Sequence, residues 1–467
     1  MGNSLRTKDL SKIGYTNDKA RSLAINIFNK HFKYHTKAEQ LHTLSSLMDR
    51  PEDFLEDDVL GKLAEVLTGK TKEVQFSVHA LRESSVPLKI YGGKEIEALA
   101  RRQIELAATL PVSIAAALMP DAHMGYGLPI GGVLATKDAV IPYAVGMDIG
   151  CKMSLSIINA SESYLKRYSF QIKEALKKCT HFGMEGGLDF RQEHEVLDNP
   201  LFRAMPLLKQ LHGKAIRQLG SSGSGNHFVE FGEIELFEHN TLGLTPGKYS
   251  AILSHSGSRG LGANIAKHYT NIAMNTCKLP RQAQQLAWLD MHSEAGEEYW
   301  RCMNLAGDYA KACHDQIHTN LVKELGLEIL YKVENHHNFA WRDQMKDYGD
   351  VIIHRKGATP AHEGEYGIIP GSMTAPAFLV RGKGNESALF SAAHGAGRAM
   401  SRQAAKDSMT VSAMKKVLSA AGVTLVGGSV EENPTAYKEI EKVMMAQKDL
   451  VEVEGKFRPV VVRMNKE

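Results

Sequence analysis

Eight short apolar runs dominate the chain after residue 86: IGGVLAT, MSLSII, HFVEF, SAILSH, EILYKV, DVIIH, AFLV and PVVVR. Runs of this length, several bounded by Gly, Ser or Pro, read as buried strands separated by turns. Helix-like stretches lie between them, notably 283–325 and 396–420, and Ile96, Leu99, Ala100 and Ile104 recur at helical spacing. A chain that mixes both patterns without a regular repeat is expected to build an α+β fold, with mixed β-sheets and surrounding helices. The strand spacing is too uneven for an eight-fold βα barrel. Residues 1–75 lack this texture and carry the acidic stretch DRPEDFLEDD, followed by LGKLAEVLTGK, a short helix expected to stop at Gly69. They are expected to form a helical N-terminal extension, leaving one large catalytic domain over 76–467.

Composition narrows the function classes. With 467 residues, 43% hydrophobic and 23% charged, the chain can bury a core without disulfide or metal staples. A net charge of +3 carries no global nucleic-acid signature, but it hides local contrasts. The acidic N-terminal stretch offsets a basic stripe over 396–416. The five cysteines, at 151, 179, 277, 302 and 313, are odd in number, dispersed and free of any CxxC pair. That pattern fits a reducing compartment better than a disulfide framework or structural zinc. The N-terminus has no apolar signal core, and Arg6 stands where myristoylation wants Ser or Thr. The expectation is a cytoplasmic protein with no membrane partner. Familiar nucleotide motifs fail: LTGKT lacks the first glycine of a phosphate loop, Ala64 standing in its place, and no GxGxxG is present.

Histidine and glycine instead concentrate in MPDAHMGYGLPIGG, GMDIGCKM, GSSGSGNHFVEF, LSHSGSRGLG, ENHHNFAW, HRKGATPAHEGEYGIIPGSM and SAAHGAGRAMSR. Each joins a ligand-type side chain to small residues that permit close approach. Asp148 and Cys151 form a DxxC pair able to offer carboxylate and thiolate to a borderline divalent ion. If 226–230 is extended, Asn226, Phe228 and Glu230 face one way and His227 the other, so one strand could serve two sites, Glu230 a guanine edge and His227 a metal. His255 and His337 stand at strand ends as candidate imidazole ligands, with His336 expected to point away. Ser256, Ser258 and Arg259 form a candidate phosphate pocket. Arg398 and Arg402, four apart on an expected helix, share a face suited to phosphates. His394, among glycines, is a candidate nucleophile. Each feature alone has a bland reading, such as a buried thiol, a hydrogen-bonded imidazole or a solvated helix face; the conjunction carries the argument.

In this order, MPDAHMGYGLPIGG, GMDIGC, SGNHFVEF, LSHSGSRGLG, HHN, HRKGAT, IPGSM and SAAHGAGR resemble the RtcB family of RNA ligases over roughly residues 85–467. The resemblance implies a mixed α+β RtcB-like fold. It implies joining of RNA 3′-phosphate or 2′,3′-cyclic phosphate ends to 5′-hydroxyl ends, in tRNA splicing or RNA repair. GTP is the implied co-substrate and two manganese ions the implied cofactors. His394 would attack GTP to form histidine–GMP, GMP would pass to the RNA 3′-phosphate, and the 5′-hydroxyl would displace it. One Mn2+ would lie with Asp148, Cys151 and His227, the other with Cys151, His255 and His337. Asn226, Phe228, Glu230, Ser372 and Tyr437 would surround GMP, and Arg259, Arg398 and Arg402 would contact phosphates. RNA ends and GTP are the implied partners, with an activating protein as a further candidate.

The chain departs from the family pattern at Lys152, where Gly is more usual, and at Ala393, where many members have Cys. Met464 falls near a position where the family usually carries a GMP-contacting Lys; Arg463 and Lys466 are the neighbouring cations. The alternatives are a two-metal phosphodiesterase acting without nucleotide and a noncatalytic RNA-binding module. His394 in HGAGR argues against the first, because hydrolysis needs no covalent nucleotide carrier. The lack of an aromatic-rich stacking face in the sequence argues against the second.

Overall fold

The computed structural model describes residues 5–55, 57, 59–69, 75–183 and 192–465. The chain divides into two compact units, Met1–Gln75 and Phe76–Glu467. In the first, helices Thr7–Lys12, Asp18–His31, Lys37–Asp49 and Gly61–Thr68 bury Leu10, Phe28, Leu44, Leu47 and Leu63 in a core of their own. Local chemistry sets their ends. Thr36 and Glu39 form a reciprocal capping box, and Gly69 stops the last helix in the left-handed region at φ +65°.

The second unit is α+β, as its patterning requires. Its main strands are β1 (Leu88–Ile90), β2 (Ser113–His123), β3 (Ile130–Thr136), β4 (Lys152–Ile158), β5 (Phe228–Leu236), β6 (Gly247–Ser256), β7 (Ile329–His336), β8 (Asn338–Met345), β9 (Gly349–Lys356), β10 (Tyr366–Ile369), β11 (Ala377–Gly382), β12 (Thr424–Val426) and β13 (Val451–Met464). They form a five-stranded sheet in the order β8-β9-β3-β2-β1 and an eight-stranded sheet ordered β7-β4-β6-β5-β13-β11-β10, with β12 beside β13. All eight apolar runs are strands. The sequence patterning missed β2, whose alanine-rich AAALM has no strand alternation; pairing with β1 and β3 imposes the extended form.

Two helical expectations need correction. The stretch 283–325 is broken: a 3-10 turn, Arg281–Leu286, and a short strand, Leu289–Asp290, precede the helix Glu294–Leu325, whose first turn Ser293 caps. Over 396–420 only Arg402–Ser408 and Val411–Ala420 are helical. Gly397 at φ +72° and the cap at Ser401 hold the preceding residues out of the helix. Arg398 and Arg402 therefore do not share a helix face. Among the described residues, no helix is long and apolar enough to cross a membrane.

The long helix Glu294–Leu325 locks the strands that carry the site. On β4, Met153, Leu155 and Ile157 enter one apolar cluster, while Ser156 meets the helix. Ser156 donates to His318 Nδ1 (2.7 Å), His318 Nε2 to Ser254 Oγ (2.7 Å), Ser254 to His314 Nδ1 (2.6 Å), and His314 Nε2 to the Ser256 carbonyl (3.2 Å). Burial keeps both imidazoles neutral, lowering His318 to about 3 and His314 well below its ordinary value. Neutral rings let every donor in this relay point the same way. His318→Ala strands the buried Ser156 hydroxyl, removes one of the two partners of Ser254 and opens a cavity. It is expected to cost about 2–4 kcal/mol in chemical denaturation, with His318→Gln costing less.

Candidate active site

Four chain segments converge on one buried sulfur. Gly146 (φ +102°) and Gly150 (φ +72°) bend the segment ahead of β4 so that Asp148 and Cys151 turn inward. His255 sits near the end of β6, opposite Met153 on one side and Phe228 on the other. His337 lies between β7 and β8, its N–H donating to the Cys151 carbonyl at 3.0 Å. Cys151 Sγ lies 3.1 Å from His255 Nε2 and 3.5 Å from His227 Nε2. His255 Nε2 is 3.2 Å from His337 Nε2, and His227 Nε2 is 3.0 Å from Asp148 Oδ2. Two donor sets result, Cys151–His255–His337 and Asp148–Cys151–His227, each with its ligand atoms within 4.8 Å of one another.

The donor chemistry fits a borderline divalent ion: one sulfur, three imidazoles and one carboxylate. His227 Nδ1 and His337 Nδ1 are buried with no hydrogen-bond partner among the described residues. Burial lowers His255 to about 3, so it presents a neutral ring. His337 is held well below its usual value, first by burial and then by the neighbouring histidines. Burial alone would raise Asp148, but the hydrogen bond and charge of His227 bring it below its ordinary value. The Cys151 thiol is pushed well up by burial and by Asp148, so a thiolate here needs a cation beside it. Close approach depends on glycine: a Cβ at Gly257 would collide with the Asp148 carboxylate, and one at Gly223 with the His227 ring.

These donors line one cavity of about 670 Å3 together with Asn226, Phe228, Glu230, Ser372, His394, Arg398, Arg402 and Tyr437. The expected opposition of His227 to its neighbours does not hold. Regular strand begins only at Phe228, and Gly225 (φ +70°) turns the backbone just before it, so His227 lines the same cavity. His336 does point away, its Nδ1 on the Gly150 carbonyl at 2.9 Å. Arg259 is not among the cavity-lining residues; its guanidinium donates to Ser221 Oγ (3.2 Å) and to the Gly183 carbonyl. Ser258 is spent on the Ile149 carbonyl, which removes its hydroxyl from the expected phosphate pocket. Met464 lines the cavity, whereas Arg463 turns to the Val426 and Met464 carbonyls; Lys466 lies outside the described residues.

Three partners escaped the sequence reading. Asp121, on β2, accepts from His394 Nδ1 at 2.7 Å and from the His394 backbone N–H at 3.2 Å. Its only signal was its place two residues before a histidine in MPDAH. Glu431 and Glu432, both buried, organise the basic wall. Arg398 donates to Glu432 at 3.0 Å and to the Glu431 carbonyl at 2.8 Å, Arg402 donates to Glu431 at 3.1 Å, and the Tyr437 hydroxyl donates to Glu432. The His337 and His394 ring centroids are 5.1 Å apart, so the carboxylate-held imidazole adjoins the donor sets directly.

Fold and site together define an α+β protein with paired sulfur–nitrogen donor sets beside a carboxylate-held histidine. The family profile described as "tRNA-splicing ligase RtcB" matches residues 103–205 and 203–465. The RNA-splicing ligase RtcB of Escherichia coli K12 is 32% identical over 415 residues, covering 82% of this chain and 98% of that protein. The tRNA-splicing ligase RtcB of Methanococcus maripaludis is 31% identical over 415 residues, covering 73% and 86%. The RNA-splicing ligase RtcB of Mycobacterium tuberculosis is 30% identical over 414 residues, covering 74% and 95%. This chain belongs to the RtcB family.

Glu230 supplies a test of the cavity's polarity. Burial raises its carboxyl from the usual 4.5 to about 8. The folded chain then holds a proton that the unfolded chain releases, so this group's stabilising contribution is full below about 4.5 and is lost as pH rises to about 8. The melting temperature of ligand-free Glu230→Gln should gain on wild type across that window and gain no more above it. A constant difference at all pH values would refute the burial.

Proposed function

We propose that the chain is an RNA ligase that joins 3′-phosphate or 2′,3′-cyclic phosphate ends to 5′-hydroxyl ends, with GTP as co-substrate and Mn2+ as cofactor. The carrying observation is the 2.7 Å contact from His394 Nδ1 to Asp121, in the cavity that holds both donor sets. A carboxylate on Nδ1–H leaves the Nε2 lone pair free as a nucleophile. His394 Nε2 attacks the α-phosphorus of GTP, a P–N bond forms, and the bond to the β-phosphate oxygen breaks to release pyrophosphate. An oxygen of the RNA 3′-phosphate then takes the GMP and frees the imidazole. The 5′-hydroxyl finally attacks the RNA phosphate and GMP leaves, closing a phosphodiester. A cyclic end is first hydrolysed to the 3′-phosphate.

Around this sequence, the chain's own residues bind and orient. Glu230 accepts from the guanine N1–H and exocyclic amine, with Phe228, Asn226, Ser372 and Tyr437 around the nucleotide. Arg398 and Arg402, held by buried carboxylates, present charge to phosphates without having to reorganise. Arg259 is the more remote phosphate contact, acting once its present hydrogen bonds exchange. Asp148, Cys151, His227, His255 and His337 would hold two manganese ions. Bound Mn2+ supplies charge to screen the phosphates and to keep Cys151 ionised. Intron-split tRNA and broken RNA in repair both present suitable ends.

Labelled GTP with Mn2+ should mark the chain covalently. His394→Ala should abolish the label, Asp121→Asn should lower its rate roughly a hundredfold, and the surface control His292→Ala should match wild type. RNA cleavage without any label would favour a nucleotide-independent phosphodiesterase. Because one sulfur belongs to both donor sets, Cys151→Ala should lower bound Mn2+ from two per chain to below one by equilibrium dialysis. Retention of two ions would contradict the shared ligand.

A further inference from the structure

The turn that leaves β2 just after Asp121 is fastened at three consecutive residues. Gly125 is gripped by Gln103, whose Oε1 accepts from the Gly125 N–H at 3.0 Å while its Nε2 donates to the Gly125 carbonyl. The Tyr126 carbonyl accepts from Lys356 Nζ, a buried amine that also donates to the Tyr143 carbonyl at 3.2 Å. The Gly127 N–H donates to Gln285 Oε1 at 3.0 Å, with Gly127 at φ +68°. This anchoring of the backbone contrasts with the side chains. Tyr126 is 72% exposed, Met124 56% and Met147 39%, and all three line the cavity that contains His394. An apolar surface held rigidly in water at the mouth of a reaction cavity is a ready platform for a flat ligand.

We infer that Tyr126, flanked by Met124 and Met147, stacks on the base of a terminal RNA nucleotide and holds that end against His394. The inference rests on the proposed RNA-joining function. That reaction brings the guanine, assigned to Phe228 and Glu230, together with the terminal bases of the two strand ends, which have no other assigned wall. An aromatic face offers stacking without reading Watson–Crick edges, so this contact accepts any base.

The test is fluorescence anisotropy of the full chain with a labelled single-stranded RNA bearing a 5′-hydroxyl and a 3′-phosphate. Tyr126→Ala should weaken binding about tenfold, while Tyr126→Phe and Tyr126→Trp stay within about twofold. An abasic residue at one of the two terminal nucleotides should weaken wild type by a similar factor and add no further loss to Tyr126→Ala. Melting temperature serves as the fold check. Equal affinity for Tyr126→Ala and wild type would overturn the inference and leave the exposed ring to a protein contact. Loss with Tyr126→Phe as large as with Tyr126→Ala would also overturn it. Failure of wild type to take label from GTP would sink the proposed function alone, because RNA affinity is read without any chemistry.

Discussion

The arrangement turns on the Cys151 sulfur, which lies within reach of His227 and His255 and belongs to both donor sets. Its position follows from the sheet. β4, β6 and β5 are consecutive in the sheet order, so the residues at their adjacent ends must crowd together. Glycines at 223 and 257 remove the side chains that would keep them apart, and Gly150 lets the turn ahead of β4 lie against Gly307 of the long helix. The electrostatics then become demanding, because a buried thiol beside Asp148 resists ionisation until a cation arrives. His255 and His337, kept neutral by burial, offer lone pairs rather than repulsion.

The smaller sheet contributes the other half. β2 brings Asp121 to His394, and β9 ends at Lys356, whose Nζ fastens the turn after β2. The arrangement draws on both sheets: Asp121 and His255 lie within strands, and Cys151, His227, His337 and His394 each directly adjoin one. The basic wall shows the same economy. Arg398 and Arg402 are not loose cations but are held by Glu432 and Glu431, whose carboxylates are buried. Such internal pairing also explains why a net charge of +3 conceals a cavity suited to phosphates.

The strands and the donor motifs were legible because both are local. Apolar runs of strand length bounded by turn residues needed no tertiary knowledge, and DxxC, NHF and HHN announce ligand types directly. What was not legible depends on contacts distant in sequence. Asp121 and His394 are 273 residues apart, so nothing nearby marks that carboxylate as a partner. Glu431 and Glu432 read as ordinary acids until the fold buries them against Arg398 and Arg402. Strand alternation puts His227 on the opposite face only if the strand begins before Phe228, and it does not. The four-residue spacing of Arg398 and Arg402 suits one helix face, but Gly397 and the Ser401 cap start the helix only at Arg402.

Under the proposed function, this cavity activates a phosphate end rather than cleaving one. Ligation of RNA pairs with defined termini tests it most directly, with Mn2+ and GTP present. Joining of a 3′-phosphate or cyclic phosphate end to a 5′-hydroxyl end, dependent on GTP, is the predicted result. Joining confined to 3′-hydroxyl and 5′-phosphate ends would contradict it.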